Sequence, residues 1–154
     1  MTLEDDIAFF EQVPTLAALG TQALRVLAIG AETRTLQSGA VLFYAGEFAD
    51  GGYIVLDGAL IVEPATPAEG REFTVGAGTL LGELSLLTDA VSPVTATAVE
   101  PTTVLRISRS LFCKTLEGYP DAAMRIRDIM KQRLGTLTQE LGKVQHKLDR
   151  NGGR

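Results

Sequence analysis

The sequence predicts a mainly β domain, a sandwich or a barrel, with helices on both sides of it. The chain has 154 residues, of which 45% are hydrophobic, so it has the size and the apolar content of one globular domain. Between Thr33 and Ile107, short apolar or alternating runs are separated by glycines and other turn residues. Toward both ends of the chain, apolar residues recur at helical spacing instead. Many short strands with regular turns are typical of a sandwich or a barrel.

The N-terminal part of the chain predicts two short helices that form a cap. The first covers Thr2 to Val13, because Thr2 and Asp5 have the spacing of a capping box and Pro14 acts as a stop. The second covers Thr21 to Ile29, where leucines and alanines lie at helical spacing.

The middle of the chain predicts strands. The runs are Val41 to Tyr44, Tyr53 to Leu56, Ala59 to Val62, Glu72 to Val75, Thr95 to Val99 and Thr103 to Ile107. The pair Asp57-Gly58 predicts a tight hairpin between the strands on either side of it, because both residues tolerate positive φ.

The last part of the chain predicts a long helix. It begins at Pro120-Asp121, since proline suits the first turn and aspartate complements the helix dipole, and it extends to about Asp149. About 30 residues at about 1.5 Å each span about 45 Å, which is longer than the barrel needs. Its apolar residues alternate at spacings of four and three, as in a coiled-coil seam: Met130, Leu134, Leu137, Leu141, Val144 and Leu148. This period favours a homodimer over the alternative, a stripe that packs on the chain's own barrel.

We therefore expect one domain over residues 1–150. It comprises a helical cap (1–31), a β-barrel (32–110) and C-terminal helices (111–150), and a disordered tail (151–154) follows it.

Composition and charge argue against several classes of function. The net charge of −5 opposes sequence-independent attraction to a nucleic-acid backbone. No run reaches the roughly 18 apolar residues of a membrane-spanning helix, and residues 1–6 are acidic where a signal peptide would be basic, so we expect a cytoplasmic protein without a membrane partner. Cys113 and His146 are the single cysteine and histidine, too few for an internal disulfide or a four-ligand zinc site. The predicted strands contain no histidine for a catalytic metal, so we expect neither a metal cofactor nor an enzyme.

The order and spacing of several motifs resemble the cyclic-nucleotide-binding domains of the catabolite-activator (Crp/Fnr) superfamily. The motifs are Gly46-Glu47, Tyr53-Ile-Val-Leu-Asp-Gly58, Gly78, Gly82-Glu83-Leu84-Ser85-Leu86-Leu87 and the helix segment from Pro120 to Leu134. The resemblance covers nearly the whole chain. It implies a double-stranded β-helix (jelly-roll-like) barrel with a helical N-terminal cap and a long C-terminal dimerisation helix. It also implies a regulatory function with cyclic AMP or cyclic GMP as the candidate ligand.

The same resemblance assigns residues to the ligand. In the family, the turn that corresponds to Gly82, Glu83, Leu84 and Ser85 opens a short helix whose backbone N–H groups face the cyclic phosphate, and a helix N-terminus suits an anion. Glu83 would accept the ribose 2′-hydroxyl proton, and Gly82 would let the backbone approach the ligand. The alternative interpretation is a turn that fills the barrel, and for Leu84, Leu86 and Leu87 we adopt that interpretation and expect them in the core.

The sequence departs from the family where an arginine normally pairs with the phosphate. Val94 occupies that position, and Thr95 follows it in the same ligand-binding stretch. No lysine or arginine lies between Glu72 and Leu105, so a basic partner would have to come from elsewhere, with Arg71, Arg125 and Arg127 as candidates. On the long helix, the resemblance places Thr138 near the purine edge.

Two functional hypotheses remain open at this stage. The first is a sensor domain whose ligand occupies the barrel and acts on the dimerisation helix, with weak or altered cyclic-nucleotide affinity. The second is a degenerate module that binds no ligand and only dimerises or docks a protein partner. We expect no direct DNA binding in either case, because the charge is acidic and the sequence shows no helix-turn-helix segment after the long helix.

The seam predicts the effect of charge on the oligomeric state. The double substitution of Leu134 and Leu141 by Asp should convert a dimer into a monomer, because each dimer would then bury carboxylates in an apolar seam. Sedimentation velocity at about tens of micromolar, where weak dimers are still populated, measures this. A wild-type protein that already sediments as a monomer would show that the seam does not dimerise the chain.

Overall fold

A computed structural model of the chain describes residues 2–132. Three helices precede the barrel: α1 (Leu3–Glu11), α2 (Pro14–Ala17) and α3 (Thr21–Gly30). The capping box at the start of α1 is confirmed, since the Thr2 hydroxyl accepts the Asp5 N–H at 3.3 Å and the Asp5 carboxylate accepts the Thr2 N–H at 3.0 Å. Helix α1 ends before Pro14, as predicted, but Pro14 also begins a further short helix, α2, that was not predicted. Proline suits this position because the first turn of a helix needs no N–H there.

Ten strands form the barrel. They are β1 (Glu32–Leu36), β2 (Val41–Phe43), β3 (Phe48–Ala49), β4 (Gly51–Asp57), β5 (Ala59–Pro64), β6 (Phe73–Gly76), β7 (Leu80–Leu81), β8 (Ala90–Val91), β9 (Val94–Ala98) and β10 (Thr102–Ser108). One sheet has the order β1-β10-β4-β7, the other the order β2-β9-β5-β6, and β3 pairs with β8. All pairs are antiparallel, and the jelly-roll-like fold with flanking helices is confirmed.

The predicted hairpin at Asp57-Gly58 is wrong. The strands on either side of this turn, β4 and β5, belong to different sheets, so the chain turns a corner of the barrel there. Gly58 does have the expected positive φ, 94°. Instead of a ladder between the two strands, the Thr102 hydroxyl holds the corner: it accepts the Ala59 N–H at 3.2 Å and donates to the Glu100 carbonyl at 2.8 Å. A local turn signal cannot indicate which strands will pair, because that depends on residues distant in sequence.

Two clusters of buried apolar side chains fill the molecule. The first packs α1, α2 and α3 against β4, β10 and the C-terminal helices, and its largest members are Phe10, Leu16, Leu19, Leu24, Leu27, Ile54, Leu86, Leu105, Ile107 and Phe112. The second joins strands of both four-stranded sheets through Val55, Leu60, Val62, Leu81, Ala96, Ala98 and Val104. Burying one Leu, Ile or Phe side chain contributes about 1.5–3 kcal/mol, so the first cluster fixes the helical cap to the barrel.

Within residues 2–132, two helices follow the barrel. Helix α4 (Arg109–Gly118) is capped by Ser108, whose hydroxyl accepts the Leu111 N–H at 3.1 Å. Residues 120–132 form α5, which begins at Pro120 as predicted. Within residues 2–132, no helix has both the length and the apolar character that a bilayer-crossing segment requires.

The structure describes one residue of the predicted dimer seam, Met130. Met130 is half-buried and packs against the first core cluster of its own chain, as in the alternative in which the stripe covers the chain's own domain. The other seam residues, Leu134, Leu137, Leu141, Val144 and Leu148, lie outside the described residues. The homodimer therefore stays a prediction.

The corner at Gly58 predicts a measurable loss of stability. In Gly58→Ala, the new Cβ would lie 2.5 Å from the Pro101 carbonyl oxygen and 2.7 Å from the Thr102 Cα, in addition to having an unfavourable φ. Gly39→Ala is the matched control, because Gly39 has a similar φ of 89° but no atom within 4 Å of the added Cβ. The control should lose about 1–2 kcal/mol of unfolding free energy. Gly58→Ala should lose about 1–3 kcal/mol more in urea denaturation, and equal losses would contradict the close contact.

Candidate functional site

An open cavity of about 440 Å³ lies among the strands of the barrel. Its wall is formed by residues from β2, β3, β4, β7, β8 and β9, by one residue of β1, and by the turn that follows β7. The lining includes the predicted residues Gly82, Glu83, Leu84, Ser85 and Val94. Five of the seven positions that the sequence assigned to a ligand are therefore brought together around one space.

The floor of the cavity depends on a close approach between two stretches of backbone. Gly82 has the left-handed φ of 78°, and a Cβ added there would lie 3.0 Å from the Gly51 carbonyl oxygen. A Cβ on Gly52 would lie 3.2 Å from the Leu86 Cγ and 3.3 Å from the Leu81 carbonyl oxygen. Glycines on both sides let the turn lie directly against β4. The close approach predicted for Gly82 thus has a structural partner within the protein itself.

The predicted short helix is a single 3₁₀ turn, Glu83–Leu86. The Ser85 N–H donates to the Gly82 carbonyl at 3.0 Å, so this donor is used within the turn. Since only one turn is present, its dipole is smaller than that of a full α-helix. The backbone of the turn can therefore attract an anion less strongly than the sequence comparison implied.

The expectation that Leu84 belongs to the core is wrong. Leu84 is 66% exposed and lines the cavity, whereas Leu86 is 1% exposed and Leu87 is partly buried against the first core cluster. With three residues per 3₁₀ turn, side chains two positions apart point in different directions, so the turn directs Leu86 inward and leaves Leu84 at the cavity.

Glu83 is half-buried and has a protein partner. The Thr15 hydroxyl, from α2, donates to the Glu83 carboxylate at 2.7 Å, and Thr15 itself is only 2% exposed. The cap therefore orients the acid that the resemblance assigned to a ribose. The two residues are 68 positions apart in the sequence, so no local sequence signal indicates this contact. The role of Glu83 toward a ligand stays a prediction.

Val94 and Thr95 behave differently although they are adjacent in β9. Val94 lines the cavity and is partly buried against the second core cluster. The Thr95 hydroxyl accepts the Ala45 N–H at 2.9 Å, and Thr95 is not among the described residues that line the cavity. Successive residues of a strand point to opposite faces, which explains this difference. Thr138 lies outside the described residues.

Among the described residues, the cation that lines the cavity is Arg34, from β1, which the sequence analysis did not identify. Its guanidinium carbon lies 5.9 Å from the centre of the Tyr53 ring, which in turn stacks on Phe43 with 5.8 Å between the ring centres. The expected substitutes are placed elsewhere. Arg125 donates to the carbonyls of Ala18 and Leu19 in the cap, and neither Arg71 nor Arg127 lines this cavity among the described residues. Nothing in the sequence around Arg34 distinguishes it from an ordinary surface arginine.

Two ion pairs fix the loops around the cavity. Arg106 donates to the Asp50 carboxylate at 2.6 Å, and this hydrogen bond lowers the pKa of Asp50 below its usual range. Arg109, the first residue of α4, contacts the Asp89 carboxylate and donates to the Thr88 carbonyl at 3.1 Å. The loop that follows the Glu83–Leu86 turn is thereby connected to the C-terminal helices.

The comparison with known proteins agrees with this fold and cavity. Residues 33–119, more than half of the chain, match the family described as the cyclic nucleotide-binding domain. The chain belongs to this family, and the resemblance drawn from the sequence motifs is confirmed.

Two solved structures and one curated protein show the range of its relatives. A cyclic nucleotide-binding-like protein from Brucella abortus is 36% identical, with a TM-score of 0.66 over 73% of this chain and 98% of that chain. The N-terminal domain of a transcriptional regulator from Streptomyces coelicolor is 26% identical, with a TM-score of 0.77 over 86% of this chain and 94% of that chain. The lysophospholipase nte1 of Neosartorya fischeri is 26% identical over 137 residues, which are 86% of this chain but 9% of that protein. The match to this lysophospholipase therefore covers a small part of a much longer chain.

The Arg106–Asp50 pair predicts how Asp50 titrates. In Arg106→Gln, the pKa of Asp50 should rise toward its ordinary value, because the hydrogen bond that favours the carboxylate is lost. In the wild type, the lowered pKa means that the pair stabilises the fold above the ordinary aspartate pKa of about 3.9, and that this contribution is lost as the pH falls through the folded pKa.

Carboxyl NMR titration of both proteins measures this change. Asp5 is the internal control, because its pKa is lowered by Thr2 and not by Arg106. Asp50 curves that coincide in the two proteins would contradict the ion pair.

Proposed function

We propose that this chain is a regulatory sensor domain that binds a small molecule in the barrel cavity, with cyclic-nucleotide affinity weakened by Val94. The observation that carries the proposal is the open cavity itself, which brings the Gly82–Ser85 stretch and Val94 to one space of about 440 Å³. A cavity of this size is within the range of small-molecule sites. The family membership of the chain and the regulatory protein among its relatives support the same class of function.

The weak affinity follows from charge. A charge-assisted hydrogen bond contributes about 1.5–3 kcal/mol, so replacing the phosphate-pairing arginine with Val94 reduces cyclic-nucleotide affinity by about tenfold to a hundredfold. The 3₁₀ turn has one donor fewer to offset this loss, because its Ser85 N–H is already bonded to the Gly82 carbonyl. Cyclic AMP and cyclic GMP are therefore candidates for weak ligands of this domain.

A non-binding interaction module is the second candidate. Two observations favour this candidate. The Glu83 carboxylate already accepts a hydrogen bond from Thr15, and no lysine or arginine lies between Glu72 and Leu105. This candidate predicts, however, a cavity filled by side chains such as Val91 and Val94. The presence of an open cavity lined by both residues favours the sensor.

The output of the sensor would pass through the C-terminal helices. Arg109 connects the loop beside the cavity to α4, and α5 leads into the predicted seam from Met130 to Leu148. We propose that a ligand acts on a homodimer through this route, and that the domain itself has no catalytic activity. The cytoplasmic location expected from the sequence belongs to the same proposal.

Restoring the missing cation tests the sensor proposal. In Val94→Arg, the new guanidinium would lie at the cavity wall shared with the Glu83–Leu86 turn, so cyclic AMP binding should tighten by about 1.5–3 kcal/mol. Isothermal titration calorimetry of wild type and variant measures the gain. Val99→Arg is the matched control, because Val99 is 47% exposed and is not among the cavity-lining residues described.

Two results would separate the candidates. Glu83→Ala in the Val94→Arg background should remove part of the gain if Glu83 contacts the ligand. A Val94→Arg protein that melts at a lower temperature and still ignores cyclic AMP would favour the interaction module. Tight cyclic AMP binding by the unmodified protein would refute the account of the missing arginine.

A further inference from the structure

The cavity has its positive charge on a different wall from the one that the family motif implies. Among the described residues that line it, Arg34 is the one lysine or arginine. Its side chain is 45% exposed, and its ion pair with Glu32 is loose at 3.7 Å. The guanidinium lies over the Tyr53 ring, which orders the side chain without consuming its hydrogen-bond donors. Arg34 is therefore available to a ligand that enters the cavity.

At positions away from Arg34, the acidic residues of the cavity disfavour the binding of an anion. Glu83 carries a carboxylate at the 3₁₀ turn, beside the backbone where the family motif would place a phosphate, and no described lysine or arginine lines that side of the cavity to offset it. Asp50 is neutralised by Arg106, and Glu47 is exposed, so its charge is screened by solvent. The distribution attracts one negative group toward Arg34 and repels it from the Glu83 side. A single half-exposed arginine compensates one charge.

The uncharged part of the lining is mainly apolar and partly exposed, and its serines, Ser85 and Ser92, are buried. Phe48 is 82% exposed, Leu84 66% and Val91 48%, and all three line the cavity together with Leu81 and Val94. Large apolar side chains that converge on one opening gain free energy when a ligand covers them. This lining favours a ligand with an apolar body over one with a sugar, whose hydroxyl groups require polar partners.

We propose that the cavity binds an apolar-bodied monoanion whose charged group lies on Arg34 beside Tyr53. The proposal builds on the sensor function and names the chemical class of its ligand. It differs from the cyclic-nucleotide form of that function, in which the phosphate lies against the Gly82–Ser85 stretch.

A pair of fluorescent probes tests the proposal on the full chain. Anilinonaphthalene sulfonate has an apolar body with one negative charge, and phenylnaphthylamine has the same body without the charge. The wild type should bind the sulfonate more tightly than the neutral probe. Arg34→Gln should weaken sulfonate binding by about tenfold, as expected for one charge-assisted contact, and leave the neutral probe unchanged. Arg71→Gln is the matched control, since it removes the same charge from an exposed arginine that borders a different pocket.

A third variant locates the binding. Val94→Trp should fill part of the cavity and weaken both probes, and thermal melts confirm that each variant is folded. Equal loss of sulfonate binding in Arg34→Gln and Arg71→Gln, or tighter binding of the neutral probe by the wild type, would overturn the monoanion proposal and leave the sensor function standing. Binding of neither probe, or binding that a folded Val94→Trp protein retains in full, would likewise overturn the monoanion proposal, whereas the sensor function stands or falls with the cyclic AMP titration of Val94→Arg.

Discussion

The backbone contact between Gly82 and the Gly51-Gly52 pair is the constraint on which the cavity depends. A Cβ on Gly51 would lie 2.3 Å from the Ile107 carbonyl oxygen, so a side chain there would force β4 away from β10. On the side away from β10, β4 lies against the turn that follows β7. Gly52 and Gly82 face each other there, and the space between the two backbones is too small for side chains. The turn is therefore held against the central strand of a sheet, and it supplies the cavity with a fixed floor while the opposite side stays open.

The same turn connects the cavity to the helices on both sides of the barrel. Leu86 inserts into the first core cluster, where it packs with side chains from the cap, β4, β10 and α4. Glu83 accepts a hydrogen bond from Thr15 of the cap, and the loop that follows the turn is held by Arg109 at the start of α4. A ligand that displaced the turn would have to disturb these contacts, which gives the cavity a physical route to α5. Packed clusters of this kind transmit displacement because they contain little free volume.

Charge, more than shape, separates this cavity from the one that the family motifs describe. The 3₁₀ turn and the glycine close approach are present, but β9 carries Val94 where a cation is expected, and the cation at the cavity comes from β1. Arg106 offsets Asp50, so the charges that remain among the described lining residues are Arg34 against Glu83 and the exposed Glu47. The position of positive charge selects which end of a ligand can be anionic, because a buried or half-buried anion without a partner is costly.

The sequence alone determined the elements whose causes are local. The Thr2–Asp5 capping box, the start of the last helix at Pro120 and most strand positions follow from periodicity and capping, and the family motifs led to five of the seven assigned positions now found at one cavity. Only the tertiary structure decided the features that join distant segments. These are the passage of the chain from one sheet to the other at Gly58, the exposure of Leu84, the Thr15–Glu83 contact and the position of Arg34 at the cavity. The physical reason is the range of the interaction, since a cap or a hydrophobic period involves neighbours within one or two turns, whereas strand pairing and cavity charge depend on residues that only the folded chain brings together.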